Sequence, residues 1–344
     1  MSEPSSRFSR QILFPEIGKL GQQRLSESKV VIIGCGALGT VQAESLTRAG
    51  VGMLRIVDRD FVEESNLQRQ TLFCEEDAQN RLPKAVAAQK RLSQIHSGTV
   101  VDALVTDVNF KNIERLVEGM DCILDATDNF ETRFLINDVS VKREIPWVYG
   151  AAVGAEGVTM TIVPGRGPCL RCVFEQAPPR GMSPTCDTAG VLAPIVNVIA
   201  STQVAEAMKI LLGRWDRVSQ KLLSINIWEG VWKQLNIATV KELGGCPCCD
   251  QRDFPFLEGK NGALATTLCG RDSVQISSQE GARIDFQDLA RRLEPIGSVH
   301  YNQFLLRLEV DQYEIAVFAD GRSIVRGTKD TEVARTVFSK YIGA

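Results

Sequence analysis

Glycines 34, 36 and 39 follow directly on the apolar run Val30-Val31-Ile32-Ile33, and Asp58 closes the next apolar run, nineteen residues past Gly39. Gly34 permits a tight turn, Gly36 lets the backbone approach a phosphate, and Gly39 lets a following helix pack closely on the sheet. The start of that helix offers free N–H donors to an anion. A carboxylate at position 58, at the end of the second strand, can accept from ribose hydroxyls. Residues 30–58 therefore read as a strand, glycine turn, helix and strand that hold a nucleotide, without saying which one.

More polar residues fall where an open parallel sheet binds its ligands, outside the carboxyl ends of the strands. Ser65-Asn66-Leu67-Gln68-Arg69-Gln70 follows the second strand, Lys84 opens a later helix, and Asp125, Asp128, Asn129 and Arg133 cluster after another strand. Two cations with a carboxylate suit a triphosphate and its Mg²⁺ better than a dinucleotide. At ~4 Å and an effective dielectric near 20, each cation–phosphate contact has a Coulomb term of about 4 kcal/mol. The competing reading makes Arg69, Lys84 and Arg133 solvated charges or helix caps, and spacing alone leaves both readings open.

The pairs Cys169-x-x-Cys172 and Cys246-x-x-Cys249 supply four thiolates. A closed tetrahedral set of this kind suits structural Zn²⁺ and leaves no position for a catalytic water. The alternative is four buried free cysteines, and Cys248, inside the second pair, competes with Cys249 as a ligand. Cys186 stands apart, just before a long apolar helix. A thiol near a helix N-terminus is a better nucleophile, and the plainer role is packing in a loop. Cys35, Cys74, Cys122 and Cys269 read as fillers. The only two histidines, His96 and His300, lie beside no motif, which argues against a His-dependent hydrolase or dehydrogenase.

The elements that must position these residues alternate between strand and helix, which implies an α/β fold: a Rossmann-like, mostly parallel sheet with helices on both faces. Residues 1–28 read as an N-terminal helical arm that turns Ile12, Leu13, Ile17, Leu20 and Leu25 toward the domain. Residues 29–257 form the nucleotide domain with its zinc knuckles. Within it, 165–189 is a glycine- and proline-rich run of the kind that is usually functional, and 191–212 is a long apolar helix. Residues 258–344 form a small α+β domain. There, Phe286, Leu289 and Leu293 share one helix face, two strands lie near 304–310 and 313–317, Asp320-Gly321 makes a hairpin turn, and Val333, Val337 and Tyr341 line a last helix.

A chain of 344 residues has room for about two domains. Hydrophobic residues at 44% and charged residues at 24% are the balance of a soluble globular protein. A net charge of -3 gives no reason to expect nucleic acid or an anionic membrane as partner. The N-terminal residues lack the apolar core of a signal peptide, so the expected compartment is the cytoplasm.

Taken together, residues 7–250 resemble the E1-like superfamily of ThiF and MoeB type adenylyltransferases. The resemblance rests on Arg7-Phe8-Ser9-Arg10-Gln11, the glycine loop, Asp58-Arg59-Asp60, residues 65–70, Lys84, Asp125-Ala126-Thr127-Asp128-Asn129, the cysteine pairs and the stretch 186–194. It implies that the chain uses ATP and Mg²⁺ to adenylate the C-terminal glycine of a ubiquitin-like sulfur-carrier protein of ThiS or MoaD type. It further implies that Asp58 binds ribose, that Asn66, Arg69 and Lys84 hold phosphates, that Asp128 serves Mg²⁺, and that Asn129 completes the nucleotide site. In a homodimer, Arg10 would reach the neighbouring subunit's ATP. Cys186 matches a cysteine that joins the carrier covalently in some members and is dispensable in others. The tail lacks a rhodanese signature, so sulfur would come from a separate donor, a cysteine desulfurase or a rhodanese. An NAD-dependent oxidoreductase using the same loop and a catalytically silent scaffold are the alternatives. In the family the resemblance points to, thiamine, molybdopterin, cysteine and tRNA thiolation pathways all use this chemistry, and the sequence does not choose among them.

Overall fold

The computed structural model describes residues 5–176, 189–260, 273–276, 285–318 and 322–342. The chain divides into two compact units, Met1–Gly262 and Ala263–Ala344. Cys186, Cys269 and the Asp320-Gly321 turn lie outside the described residues.

The first unit is built on eight strands: β1 (Lys29–Ile33), β2 (Met53–Val57), β3 (Val100–Leu104), β4 (Cys122–Asp125), β5 (Trp147–Val153), β6 (Glu156–Ile162), β7 (Lys221–Asn226) and β8 (Val231–Asn236). They lie in the order β3-β2-β1-β4-β5-β6-β7-β8. The first five are parallel, and the last three continue the sheet antiparallel. Between β1 and β4 the order reverses, and the carboxyl ends of such neighbours diverge to leave a crevice. Ile33 pairs with both Val57 and Asp125, so Gly34, Asp58 and the loop after Asp125 start level with one another.

The helices of this unit are α1 (Ser5–Ile12), α2 (Gly18–Glu27), α3 (Ala37–Ala49), α4 (Glu75–Gln79), α5 (Lys84–Ile95), α6 (Ile113–Val117), α7 (Phe130–Arg143), α8 (Leu170–Val173) and α9 (Ala193–Leu211). Alternation along β1 divides the core, since successive side chains face opposite sides of a sheet. Val30 and Ile32 join Leu25, Leu46, Leu92 and Ile210 on one face. Val31 and Ile33 join Ile113, Leu116, Ile136 and Val139 on the other. A strand buried on both sides can therefore be apolar throughout, as this one is.

The N-terminal arm is two helices joined by a turn, and its apolar stripe is narrower than the spacing predicts. Leu25 is buried, whereas Leu13 and Leu20 are 69% and 77% exposed. The break near Pro15 puts the two helices in different phase, so one continuous 3.6-residue pattern does not describe them. β8 is exposed at every residue and carries Trp232 and Leu235.

In the second unit, β9 (Ser273–Ile276), β10 (Ser298–Tyr301), β11 (Leu305–Val310), β12 (Tyr313–Phe318) and β13 (Ser323–Arg326) form an antiparallel sheet in the order β10-β11-β12-β13-β9. Helix α10 (Phe286–Leu293) buries Phe286, Leu289 and Leu293 as their spacing predicts. Helix α11 (Thr331–Tyr341) buries Ala334 and Val337, while Val333 is exposed. The small Ala334 takes the inward position assigned to Val333.

Candidate active site

The glycine loop joins β1 to α3. Gly34 has φ +95°, and a Cβ there would stand 2.5 Å from the Ala126 carbonyl oxygen at the end of β4. A Cβ on Gly39 would stand 2.2 Å from the Gly34 carbonyl oxygen. Both positions thus demand glycine for contacts inside the protein. Gly36 differs: the nearest atom to a Cβ there is Gln70 Nε2, at 3.8 Å. Space beside its backbone is left for a ligand.

Asp58 leaves β2 and turns back on this loop. Its Oδ2 accepts the Cys35 N–H at 2.6 Å and its Oδ1 accepts the Asp60 N–H at 2.7 Å. Burial pushes its carboxyl above the ordinary value, and the Lys84 ammonium opposes that rise. Lys84, the first residue of α5, is 4% exposed and lies 3.4 Å from Asp60 Oδ2. A lysine so buried persists only beside opposite charge, so the solvated-charge reading does not fit it. Arg59, packed beside these groups, pairs with Asp107 at 2.8 Å.

The stretch after β2 folds as a short turn, Glu64–Asn66. Asn66 is buried, and its Oδ1 accepts the Glu63 N–H at 3.3 Å. Arg69 Nη1 donates to the Ser65 carbonyl oxygen at 2.8 Å, and its side chain is half-buried. Gln70 is 3% exposed, and its Oε1 accepts no hydrogen bond. The sequence places Gln70 in the stretch 65–70 and Asp60 in the Asp58-Arg59-Asp60 motif but assigns neither a role of its own. The signal for both is their packing against the loop and against Lys84.

Beyond β4, Asp128 is exposed and Asn129 caps α7, its Oδ1 accepting the Thr132 N–H at 2.8 Å. Arg133 turns inward. Its Nε meets Asp125 Oδ2 at 3.3 Å, Nη2 donates to the Thr127 carbonyl oxygen at 2.7 Å, and the guanidinium lies over the rings of Phe130 and Tyr149. This pair is neither surface charge nor a free phosphate ligand. It braces the loop that carries Asp128.

Arg10 is exposed on α1, and α1 docks at the carboxyl ends of α3, which begins at the glycine loop, and α5, which begins at Lys84. Gln11 Nε2 donates to the Ala49 carbonyl oxygen at the end of α3, and Arg7 Nη1 to the Ile95 carbonyl oxygen at the end of α5. A helix of 13 residues such as α3 spans about 20 Å. Within this chain, Arg10 is thus placed away from the glycine loop.

A second centre lies against the middle of α7, at Asn137 and Asp138. The sulfurs of Cys169, Cys172, Cys246 and Cys249 all fall within 4.8 Å of one another. Cys169 lies 3.8 Å from Cys172 and 3.6 Å from Cys246, and Cys172 lies 3.4 Å from Cys249. A tetrahedron with Zn–S of about 2.3 Å has sulfur–sulfur edges of about 3.8 Å. The set therefore fits zinc. Lys241 Nζ donates to Cys249 Sγ at 2.9 Å, which offsets thiolate charge. Cys248 is fully buried and is taken up instead by α7, receiving a hydrogen bond from Asn137 Nδ2 at 3.2 Å and donating to Asp138 Oδ1 at 3.6 Å. Cys35 and Cys122 are buried, and burial pushes both thiols up.

Residues 8–248 match the ThiF family. The chain is 44% identical over 340 residues to the sulfur carrier protein ThiS adenylyltransferase of Bacillus subtilis (strain 168), covering 98% of this chain and 100% of that one. It is 37% identical over 252 residues to a sulfur carrier protein adenylyltransferase of Thermus thermophilus, covering 72% and 91%. Among solved structures, E. coli MccB with ATP superposes with a TM-score of 0.58 at 24% identity, over 68% of this chain and 72% of that one, which is a likeness of fold. No helix among the described residues is long and apolar enough to cross a membrane. With the family match spanning the glycine loop, the cations after β2 and β4 and most of the cysteine centre, the chain belongs to the ThiF family.

Proposed function

We propose that this protein is an ATP-dependent adenylyltransferase that activates the C-terminal glycine of a ubiquitin-like sulfur carrier of ThiS or MoaD type. The observation that carries this reading is the end-to-end similarity to a sulfur carrier protein ThiS adenylyltransferase. The geometry agrees with it: a glycine loop with open space at Gly36, a buried Lys84 and a nearby Arg69 supply positive charge beyond what a dinucleotide pyrophosphate needs.

In this reading Asp58 accepts from the ribose, Gly34, Gly36 and Gly39 let the backbone approach the phosphates, and Asn66, Arg69 and Lys84 hold them. Asp128, with Asn129 beside it, binds Mg²⁺, which neutralises phosphate charge when bound. A carboxylate oxygen of the carrier's terminal glycine attacks the α-phosphorus, the bond to the bridging oxygen of the β-phosphate breaks, and pyrophosphate leaves. The nucleophile is already ionised at pH 7, so no general base is needed. Catalysis rests on alignment and on stabilising charge at the phosphates. Sulfur from a separate donor, a cysteine desulfurase or a rhodanese, then attacks the acyl carbon, and the bond to the phosphate oxygen breaks to release AMP. The protein works as a homodimer, with Arg10 serving the partner's nucleotide, and zinc on Cys169, Cys172, Cys246 and Cys249 is structural.

Pyrophosphate exchange tests the reaction. Purified protein with Mg²⁺-ATP and a carrier ending in Gly-Gly is expected to move radiolabelled pyrophosphate into ATP, and a carrier lacking the last glycine is not. Absence of carrier-dependent exchange overturns the reading.

A further inference from the structure

One helix of the first unit touches both centres. Asn129, Arg133 and Asn137 recur at intervals of four, which places them on one face of α7. Asn129 caps the helix beside Asp128, and Arg133 braces the loop after β4. Asn137 is fully buried and engages both cysteine knuckles with a single amide. Its Oδ1 accepts the Leu170 N–H at 2.8 Å, between Cys169 and Cys172, and its Nδ2 donates to Cys248 Sγ at 3.2 Å, between Cys246 and Cys249. The Leu170 N–H is a donor, so the amide oxygen must face it, and the orientation of the side chain is fixed by the network.

The neighbouring residues tie the segment after the second knuckle to the same helix. Asp138 Oδ2 accepts the Phe256 N–H at 3.0 Å and the Leu257 N–H at 3.3 Å, and the Phe134 ring stacks on Phe256 at 5.0 Å. An ion that draws the two knuckles together therefore also fixes the middle of α7. From there it holds the register of the turn that presents Asp128 and Asn129.

We propose that Asn137 is a positioning residue that couples the zinc centre to the nucleotide end of α7, so that zinc and Mg²⁺-ATP bind cooperatively. The proposal rests on the functional reading above. Coupling of this kind is reciprocal: whatever factor zinc adds to ATP affinity, ATP adds to zinc affinity. Neither ligand touches Asn137, and its two hydrogen bonds carry the effect.

The test uses the full chain without carrier. The dissociation constant of Mg²⁺-ATP is measured by calorimetry with zinc loaded and after chelation, and zinc release to a chelating dye is timed with and without ATP. In the wild type, chelation is expected to weaken ATP binding about 5-fold or more, and ATP is expected to slow zinc release. Asn137→Leu should release zinc about 10-fold faster and lose the dependence of one ligand on the other. Should Asn137→Leu not fold, Asn137→Asp keeps the acceptor for Leu170 N–H and removes the donor to Cys248. With zinc still bound, it should bind ATP more weakly than wild type. Equal ATP affinity in wild type with and without zinc overturns the coupling alone. Coupling that persists in the Asn137 variants overturns the role of that residue. A zinc-loaded wild type that binds no ATP overturns the functional reading and the coupling together.

Discussion

Arg69 hydrogen-bonds the Ser65 carbonyl oxygen through one nitrogen of a guanidinium that has five N–H donors. That single bond fixes the stem while leaving donors for a phosphate, which is the arrangement expected of a residue that meets charge as it develops. Arg69→Ala should therefore lower turnover in pyrophosphate exchange about 10²- to 10³-fold while the melting temperature stays near that of wild type. An unchanged rate would place the catalytic cation elsewhere. Arg133 predicts the opposite division. Its guanidinium and the Asp125 carboxylate are both buried, and burial pushes the Asp125 carboxyl up even beside the cation. Removing one partner strands the other charge, so Arg133→Ala should cost about 3–5 kcal/mol in chemical unfolding. A variant as stable as wild type would show that the pair does not brace the loop.

At the scale of elements, the two CxxC segments are separated by α9, β7 and β8 in sequence and meet at α7 in space. Cys172→Ala should remove bound zinc and lower the melting temperature by more than about 5 °C, the shift of roughly 2 kcal/mol in a unit of this size. Cys248→Ala should retain one zinc per chain by elemental analysis, because Cys248 is bonded to Asn137 and Asp138 and Cys249 closes the set. Loss of zinc in Cys248→Ala would exchange the two assignments. The cysteine pairs and the glycine loop were legible in the sequence because their chemistry depends on spacing within a short segment. Asn137 was not, since a mid-helix asparagine gains meaning only when two distant knuckles are brought against it. Asp60 and Gln70 stood in the motifs without a role for a similar reason, since each is defined by a neighbour across a turn, Lys84 for Asp60 and Gly36 for Gln70. Leu13 and Leu20 were misread because a pattern of apolar residues does not report the phase change at a helix break.

In the proposed homodimer, the whole molecule sets the distance over which Arg10 would act. With α1 held at the carboxyl ends of α3 and α5, and Lys84 at the opposite end of α5, an arginine on α1 serves a nucleotide across a subunit boundary more readily than its own. Complementation separates the two cases. Arg10→Ala and Lys84→Ala homodimers should each be inactive in pyrophosphate exchange. In a mixed dimer, the site on the Arg10→Ala chain keeps its own Lys84 and receives Arg10 from the Lys84→Ala chain, so one site of two is complete. Random reassortment of equal amounts makes half the dimers mixed, and activity should recover to about a quarter of the wild-type value. If Arg10 acted within its own chain, the Arg10→Ala chain would still lack its arginine and the other chain its lysine, and mixing would restore nothing.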